Sequence, residues 1–172
     1  LLSRYSGQSD ICVGTPIANR DQKELEGMIG FFVNTLTLRT KITEDSSFKE
    51  LLQSVKHNTL EAYDHQQVPF EKVVERVVKT RDMSMSPLFQ VLFVLQNTQD
   101  FTNTTVDEIE GLTISALENQ EQTSAKFDLT ITIRETDKSF WVNFNYCTDL
   151  FKEETIQRMA KHFQQLIASI TD

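Results

Sequence analysis

The chain has 172 residues, of which 39% are hydrophobic and 24% are charged, so it suits one folded domain or a large piece of one. Acidic residues outnumber basic ones by 25 to 17, which gives a net charge of −8 and argues against binding to nucleic acid or to anionic lipid. No apolar run approaches the roughly 20 residues of a membrane helix, and no signal peptide opens the chain. We therefore expect a soluble, cytoplasmic protein with no nucleic-acid and no membrane partner.

The first third of the chain predicts a short helix followed by two strands. Leu1 to Tyr5 resemble the last turn of an amphipathic helix whose earlier turns are missing, so we expect the chain to be a fragment. Residues 10–18 are rich in β-branched side chains and predict the first strand. Residues 29–42 alternate apolar and polar side chains and predict the second, in which Asn34 falls on the apolar face.

Two helices are predicted next. Ser47 and Glu50 have the spacing of a capping box, and the apolar residues that follow them recur at helical spacing to His65. Pro69 is suited to open a second helix over residues 70–79, where four valines and Phe70 form an apolar stripe.

The remainder predicts strands and a final helix. Residues 88–95 are apolar on both faces and predict a central strand. Other segments are interpreted from chain order and alternation as a loop (97–107), a short strand (112–117), a polar loop (118–124), a hairpin (127–134 and 140–147) and an amphipathic helix (152–170).

The sequence contains none of the common catalytic motifs, so spacing alone assigns no reaction and no catalytic residue. His57, Glu61 and His65 step by four along the first long helix and could present three metal ligands. Steps of four drift around a helix and no fourth ligand is in view, so we interpret them as a solvated face and predict no metal. Cys12 and Cys147 have no metal-binding or redox spacing, and we expect both to be buried.

Several blocks, taken in order, resemble the later core motifs of condensation domains from non-ribosomal peptide synthetases. The fifth motif of that family is matched by two stretches, and the family's HQDxPFE and RDxSRNPLF motifs by one each. Two further stretches also resemble family sequence. The blocks are VGTPIANR (13–20), IGFFVNTLTLR (29–39), HQQVPFE (65–71), RDMSMSPLF (81–89), KFDLT (126–130) and NYCTDLF (145–151).

The resemblance implies an α/β fold of the α+β type, a mostly antiparallel mixed sheet covered by helices, as one chloramphenicol acetyltransferase-like half-domain. The HHxxxDG motif that supplies the family's catalytic histidine is absent, so residues 1–172 resemble only the carboxyl-terminal half. The implied partners are the amino-terminal half, peptidyl carrier domains and an adjacent adenylation domain. The implied reaction is peptide-bond formation between carrier-bound thioesters, with phosphopantetheine carried by the carrier domains and no cofactor bound directly. We expect the chain alone to be inactive.

In this family the carboxyl-terminal half closes a substrate tunnel with two crossing segments, which by position would lie within residues 15–30 and 117–127. The resemblance then implies one set of residues at the tunnel or at the seam between the halves: Asn19, Arg20, Gly30, Asn34 and Ser124. It implies another set that maintains the structure of the motifs: His65, Pro69, Phe70, Glu71, Arg81, Asp82 and Pro87. A structural alternative is that Asn34 caps a strand neighbour and Arg20 pairs with Asp21 or Glu24 at the surface.

The sequence departs from the family pattern at three positions. Gln67 replaces the usual acid, and Met85 and Ser86 replace an arginine and an asparagine. Two alternative functions remain open at this point. One is a non-catalytic module that docks carrier or adenylation domains, and the other is half of a related epimerisation or heterocyclisation domain.

Overall fold

The structure is a computed structural model that describes residues 1–43, 45–96, 124–136 and 139–171. The elements of these residues follow the predicted order. The predicted loop over 97–107, the predicted strand over 112–117 and all but the last residue of the predicted loop over 118–124 lie outside the described residues. The elements are α1 (Leu2–Ser6), β1 (Asp10–Ile17), a 3-10 turn (Lys23–Leu25), β2 (Asn34–Lys41), α2 (Phe48–Asp64), α3 (Phe70–Val77), β3 (Val91–Gln96), β4 (Leu129–Glu135), β5 (Phe140–Tyr146) and α4 (Glu153–Thr171).

The strands form one mixed sheet with the order β2-β1-β3-β4-β5. The two outer pairs, β1 with β2 and β4 with β5, are antiparallel along the full length of the strands. The central strand β3 runs parallel to both of its neighbours. The predicted α+β fold with a mixed sheet, the hairpin and the central position of β3 are therefore confirmed.

One face of the sheet packs against α4. The period of two in β4 directs Leu129 and Ile131 to that face, where they meet Ile156 and Met159 of α4, and all four side chains are buried. Burying such side chains stabilises the fold by about 1.5–3 kcal/mol each. The amphipathic pattern of α4 therefore supplies the second layer of the domain.

Helix α2 begins as the sequence predicts. The Ser47 backbone N–H donates to Glu50 Oε2 at 2.8 Å and the Glu50 N–H donates to Ser47 Oγ at 3.3 Å, which completes the capping box. The hydrogen bond from the Ser47 backbone, followed by that from its hydroxyl, lowers the pKa of Glu50. Helix α3 ends at Val77 because Val78 takes an extended backbone, two residues before the predicted end.

Two predicted strands begin later in the structure than the sequence patterns indicate. Residues 29–33 are not in β2, because β1 ends at Ile17 opposite Asn34 and offers them no partner. Residues 88–90 are not in β3, because Leu88 has a φ of 69° and the Phe89 N–H donates to the Pro87 carbonyl at 2.9 Å. This tight turn redirects the chain just before the strand begins at Val91.

The two cysteines are half-buried rather than buried. Both lie at strands, Cys12 within β1 and Cys147 directly after β5. Burial is the largest of the causes that raise the pKa of the Cys12 thiol. Of the helices in the described ranges, none is long and apolar enough to cross a membrane.

Candidate functional site

A groove of about 300 Å³ opens where the end of β1, the start of β2 and the start of α3 meet. Its volume is at the lower end of the range for small-molecule sites. Five of the residues named from the sequence line it: Asn19, Asn34, Pro69, Phe70 and Glu71. Phe31, Val33, Thr35 and Gln67 complete the lining.

Asn34 joins β2 to the turn between α2 and α3. Its Nδ2 donates to the carbonyls of Gln66 at 2.7 Å and of Val68 at 2.9 Å. Its Oδ1 accepts from the Phe70 N–H at 3.2 Å and from the N–H of its own neighbour Thr35 at 2.9 Å. Pro69, the N-cap of α3, has no side-chain oxygen to accept from the first turn of that helix. Asn34 supplies that missing cap, so its amide is engaged within the structure rather than directed at a ligand.

The β1–β2 connection, residues 18–33, is closed on itself by Arg20. The Arg20 guanidinium donates from Nη1 to the Leu25 carbonyl, and it stacks over the Phe32 ring at 4.3 Å from the centroid. These contacts replace the surface pairing with Asp21 or Glu24 that the sequence also allowed. The cation–π contact ties the entry of the connection to its exit.

A second polar contact ties this connection to the turn between α2 and α3. Gln67 Nε2 donates to Asp21 Oδ2, and both side chains are exposed. Gln67 also lines the groove, whereas Asp21 does not. The contact therefore joins the two segments that face each other across the groove.

An aromatic cluster lies beneath these segments and links the sequence blocks. Phe89 is 1% exposed, and its ring centroid lies 5.7 Å from that of Phe70 and 5.4 Å from that of Phe127. A Cβ placed on Gly14 would lie 2.2 Å from the Phe89 ring. Sequence reasoning missed the role of Gly14 and Phe89, although a glycine inside a strand pattern signals a close approach of this kind.

The charge at the groove is negative. Glu71, in the first turn of α3, is exposed and lines the groove, and the Asp21 carboxylate lies beside Gln67. The described lining residues include no lysine, arginine or histidine. The groove is suited to neutral or cationic groups and to apolar ones beside Phe31 and Phe70, and the lining holds no acid–base pair.

The other sequence-predicted residues lie outside this groove. His65 is exposed and forms the C-cap of α2. Gly30 and Ser124 are both exposed, and neither is part of the lining. Arg81 is also exposed and lies outside the lining.

Two further motif residues shape the loop that leads to β3. Asp82 Oδ1 accepts from the Ser84 hydroxyl at 2.7 Å and from the Ser84 N–H at 2.9 Å, and these bonds lower the pKa of Asp82. The Pro87 carbonyl closes the tight turn before Phe89. Both residues thus act on the shape of the loop and place Phe89 in the aromatic cluster.

The possible metal ligands on α2 do not form a site. His57 Nε2 lies 3.4 Å from Glu61 Oε1, with both side chains exposed. The described ranges contain no cluster of three or more histidine, cysteine, aspartate or glutamate side chains that could hold a metal ion.

The β1–β2 connection carries apolar side chains that the described structure leaves half or fully exposed. Phe31 is 91% exposed and Ile29 is fully exposed, and Met28 and Val33 are about half exposed. We call these four apolar side chains, which lie within six residues, the apolar patch, and they are a candidate interaction surface.

The fold and the motif blocks define a known class of domain. The family model of the condensation domain matches residues 1–172. The chain belongs to the condensation-domain family.

Among curated proteins, the chain is similar to bacitracin synthase 3 of Bacillus licheniformis, with 45% identity over 171 residues, covering 99% of the chain and 3% of that protein. It is also similar to tyrocidine synthase 2 of Brevibacillus parabrevis, with 42% identity over 177 residues, covering 99% of the chain and 5% of that protein. The chain therefore spans only a small part of the length of these relatives.

Two solved structures have the same fold. One is a four-domain nonribosomal peptide synthetase bound to AMP and glycine, with a TM-score of 0.84 at 24% identity, covering 98% of this chain and 14% of that one. The other is the starter condensation domain of rhizomide synthetase, with a TM-score of 0.68 at 19% identity, covering 98% of this chain and 39% of that one. The chain thus spans well under half of a solved condensation domain.

Proposed function

We propose that this chain is the carboxyl-terminal half of a condensation domain that forms a peptide bond between two carrier-bound thioesters. In this proposal the chain shapes the substrate tunnel and part of the carrier-docking surface, and the amino-terminal half brings the catalytic histidine. Peptidyl carrier domains and an adjacent adenylation domain are the other partners, as the much longer relatives and the four-domain synthetase suggest.

The observation that carries the proposal is the uncovered apolar patch of the β1–β2 connection. Phe31 and Ile29 are almost entirely exposed in this chain, although covering side chains of this size contributes about 1.5–3 kcal/mol each. The rhizomide domain, of which this chain spans 39%, has a large remainder, and an equivalent remainder would cover the patch. The patch and the groove are adjacent, since Phe31 belongs to both, so the groove would open into the space between the halves.

The groove contributes shape and polarity rather than acid–base chemistry. The amide side chains of Asn19 and Gln67 line it and match the amide groups of a pantetheine arm or of a peptidyl donor. Holding two tethered reactants in one enclosed path supplies much of the rate in a reaction of this kind. The histidine of the other half would assist proton transfer from the attacking amine.

A reconstitution experiment tests this proposal. Two carrier domains, one loaded with a donor and one with an acceptor aminoacyl group, are mixed with the intact condensation domain or with residues 1–172 alone. We expect carrier-bound dipeptide, detected by mass spectrometry, with the intact domain only. Product from the chain alone would overturn the assignment of the catalytic group to the other half. No product with the intact domain would instead favour a non-catalytic docking module.

A further inference from the structure

The contact between Asp21 and Gln67 unites two segments that are 46 residues apart in the sequence. In the described part of the chain, it is the one side-chain hydrogen bond between the β1–β2 connection and the turn over residues 65–69. The other side-chain hydrogen bond of the described connection, from Arg20 to the Leu25 carbonyl, is internal to it. The connection is therefore closed by Arg20 and fastened to the turn by Asp21.

The contact between Asp21 and Gln67 lies at the edge of the groove and therefore affects the groove. Gln67 lines the groove from the side of the turn, and Phe31 and Val33 line it from the connection. The turn is itself fixed to β2 by two hydrogen bonds from Asn34 to the Gln66 and Val68 carbonyls, and Asn34 also accepts from the Phe70 N–H at the start of α3. Since the turn is held firmly, movement at the groove would come from the connection.

We propose that Asp21 and Gln67 form a coupled pair that sets the width of the groove, with Gln67 as a positioning residue. This inference rests on the proposed function, because the groove is taken to line the path of the substrate. The pair requires a donor opposite the Asp21 carboxylate. An acid at position 67, which the family motif usually carries there, would instead place two carboxylates in contact and release the connection from the turn.

Isosteric substitutions separate the effect of charge from the effect of shape. Gln67→Glu removes the donor and sets a carboxylate against Asp21. Asp21→Asn keeps an oxygen that can accept from Gln67, so its effect is expected to be small. The double variant Gln67→Glu with Asp21→Asn reverses the direction of the hydrogen bond, because the new amide donates to the new carboxylate. Gln53→Glu makes the same chemical change at an exposed position of α2 and serves as the matched control.

Hydrogen exchange in the intact condensation domain measures whether the connection is held. The N–H groups of Leu25 and Met28 donate to carbonyls within the connection, at 2.9 Å and 3.2 Å, so their exchange reports its local opening. We expect Gln67→Glu to speed this exchange roughly threefold, which is the scale of an exposed charged contact. The double variant and Gln53→Glu are expected to exchange at the wild-type rate. Two results would overturn the proposal that this pair holds the connection. One is an unchanged exchange rate in Gln67→Glu, and the other is a double variant that exchanges as fast as Gln67→Glu.

Steady-state kinetics with loaded carriers test the link to the groove. If the pair positions the groove wall, Gln67→Glu raises KM for the carrier-bound substrate about threefold and leaves kcat nearly unchanged, and the double variant restores KM. Faster exchange with an unchanged KM would overturn the role of the pair at the groove while leaving the peptide-forming activity intact. A complete absence of product in the wild-type domain would instead contradict the proposed function.

Discussion

The ring of Phe89 fills the space in which a side chain at Gly14 would lie, with 2.2 Å between the ring and an ideal Cβ. Gly14 belongs to the first sequence block and Phe89 to the loop block that precedes β3, and the two are brought together where β1 pairs with β3. The rings of Phe70 and Phe127 bring two further blocks to the same point. Motifs that are far apart in the sequence are therefore parts of one packed cluster.

This relationship predicts a strong effect of Gly14→Ala. The added methyl group has no room unless the buried Phe89 ring moves, and overpacking of this kind costs about 1–3 kcal/mol. We expect the free energy of unfolding of the intact condensation domain, measured by chemical denaturation, to fall by that amount.

Gly27→Ala is the matched control for this change. A Cβ at Gly27 would meet no atom within 4 Å, and its φ is not in the left-handed region. We expect this variant to be unchanged or slightly stabilised, because alanine restricts the unfolded chain. Equal stability of the two variants would show that Phe89 does not fill the space above Gly14.

Asn34→Asp tests the role of Asn34 as a surrogate helix cap. The change keeps the shape of the side chain but replaces the donor that serves the Gln66 and Val68 carbonyls with an oxygen. Two carbonyls then face a carboxylate, and we expect a loss of about 2–3 kcal/mol in the free energy of unfolding.

Asn58, a half-buried residue of α2 whose Nδ2 makes one solvent-exposed hydrogen bond to the Arg39 carbonyl at 3.1 Å, provides the comparison. Asn58→Asp is expected to cost much less than Asn34→Asp in the same denaturation experiment. If the two variants lost similar stability, Asn34 would not be holding the turn.

Stability is expected to fall in acid because three carboxylates accept hydrogen bonds in the folded state. Serine donors lower the pKa values of Glu50 and Asp82 in the folded state, and the Arg39 guanidinium lowers that of Asp10. Groups with a lowered folded pKa stabilise the fold above their unfolded pKa, which is about 4. That contribution is lost as the pH falls through the folded value.

Glu50→Gln should therefore lower the midpoint temperature of thermal unfolding at pH 7. The difference in midpoint temperature from wild type should shrink as the pH is lowered from about 5 to about 3. Thermal unfolding of both proteins across this pH range measures the difference. Glu26→Gln, an exposed acid in the β1–β2 connection, serves as the control. A difference between Glu50→Gln and wild type that stays constant with pH would contradict the capping role of the carboxylate.

Local patterns predicted most of the elements, because each depends on neighbouring residues. The capping box at Ser47 and Glu50, the alternation of β4 and the amphipathic stripe of α4 are of this kind. The extent of β2 was overestimated because the alternation of residues 29–33 has no strand to pair with, and a single sequence does not show where its partner ends.

The candidate site was only partly predictable for a similar reason. Resemblance to motifs placed Asn19 and Asn34 at the tunnel or the seam, and both line the groove. Glu71 also lines the groove, although it was expected only to maintain the structure of its motif. Contacts between distant residues, such as Gly14 with Phe89 and Asp21 with Gln67, leave no periodic signal in one sequence. Arg20 was named as a polar residue of the seam, but its stacking on Phe32 depends on how the connection folds back.

Oxidative footprinting of the intact condensation domain tests most directly whether the rest of that domain covers the apolar patch. Met28 lies in the patch and Met85 lies in the loop before β3. In this chain their side chains are 51% and 52% exposed, so Met85 serves as an internal control for the oxidation of Met28. The account predicts that Met28 is protected from peroxide in the intact domain and is oxidised more slowly than Met85. Oxidation of Met28 at the rate of Met85 or faster would contradict the account.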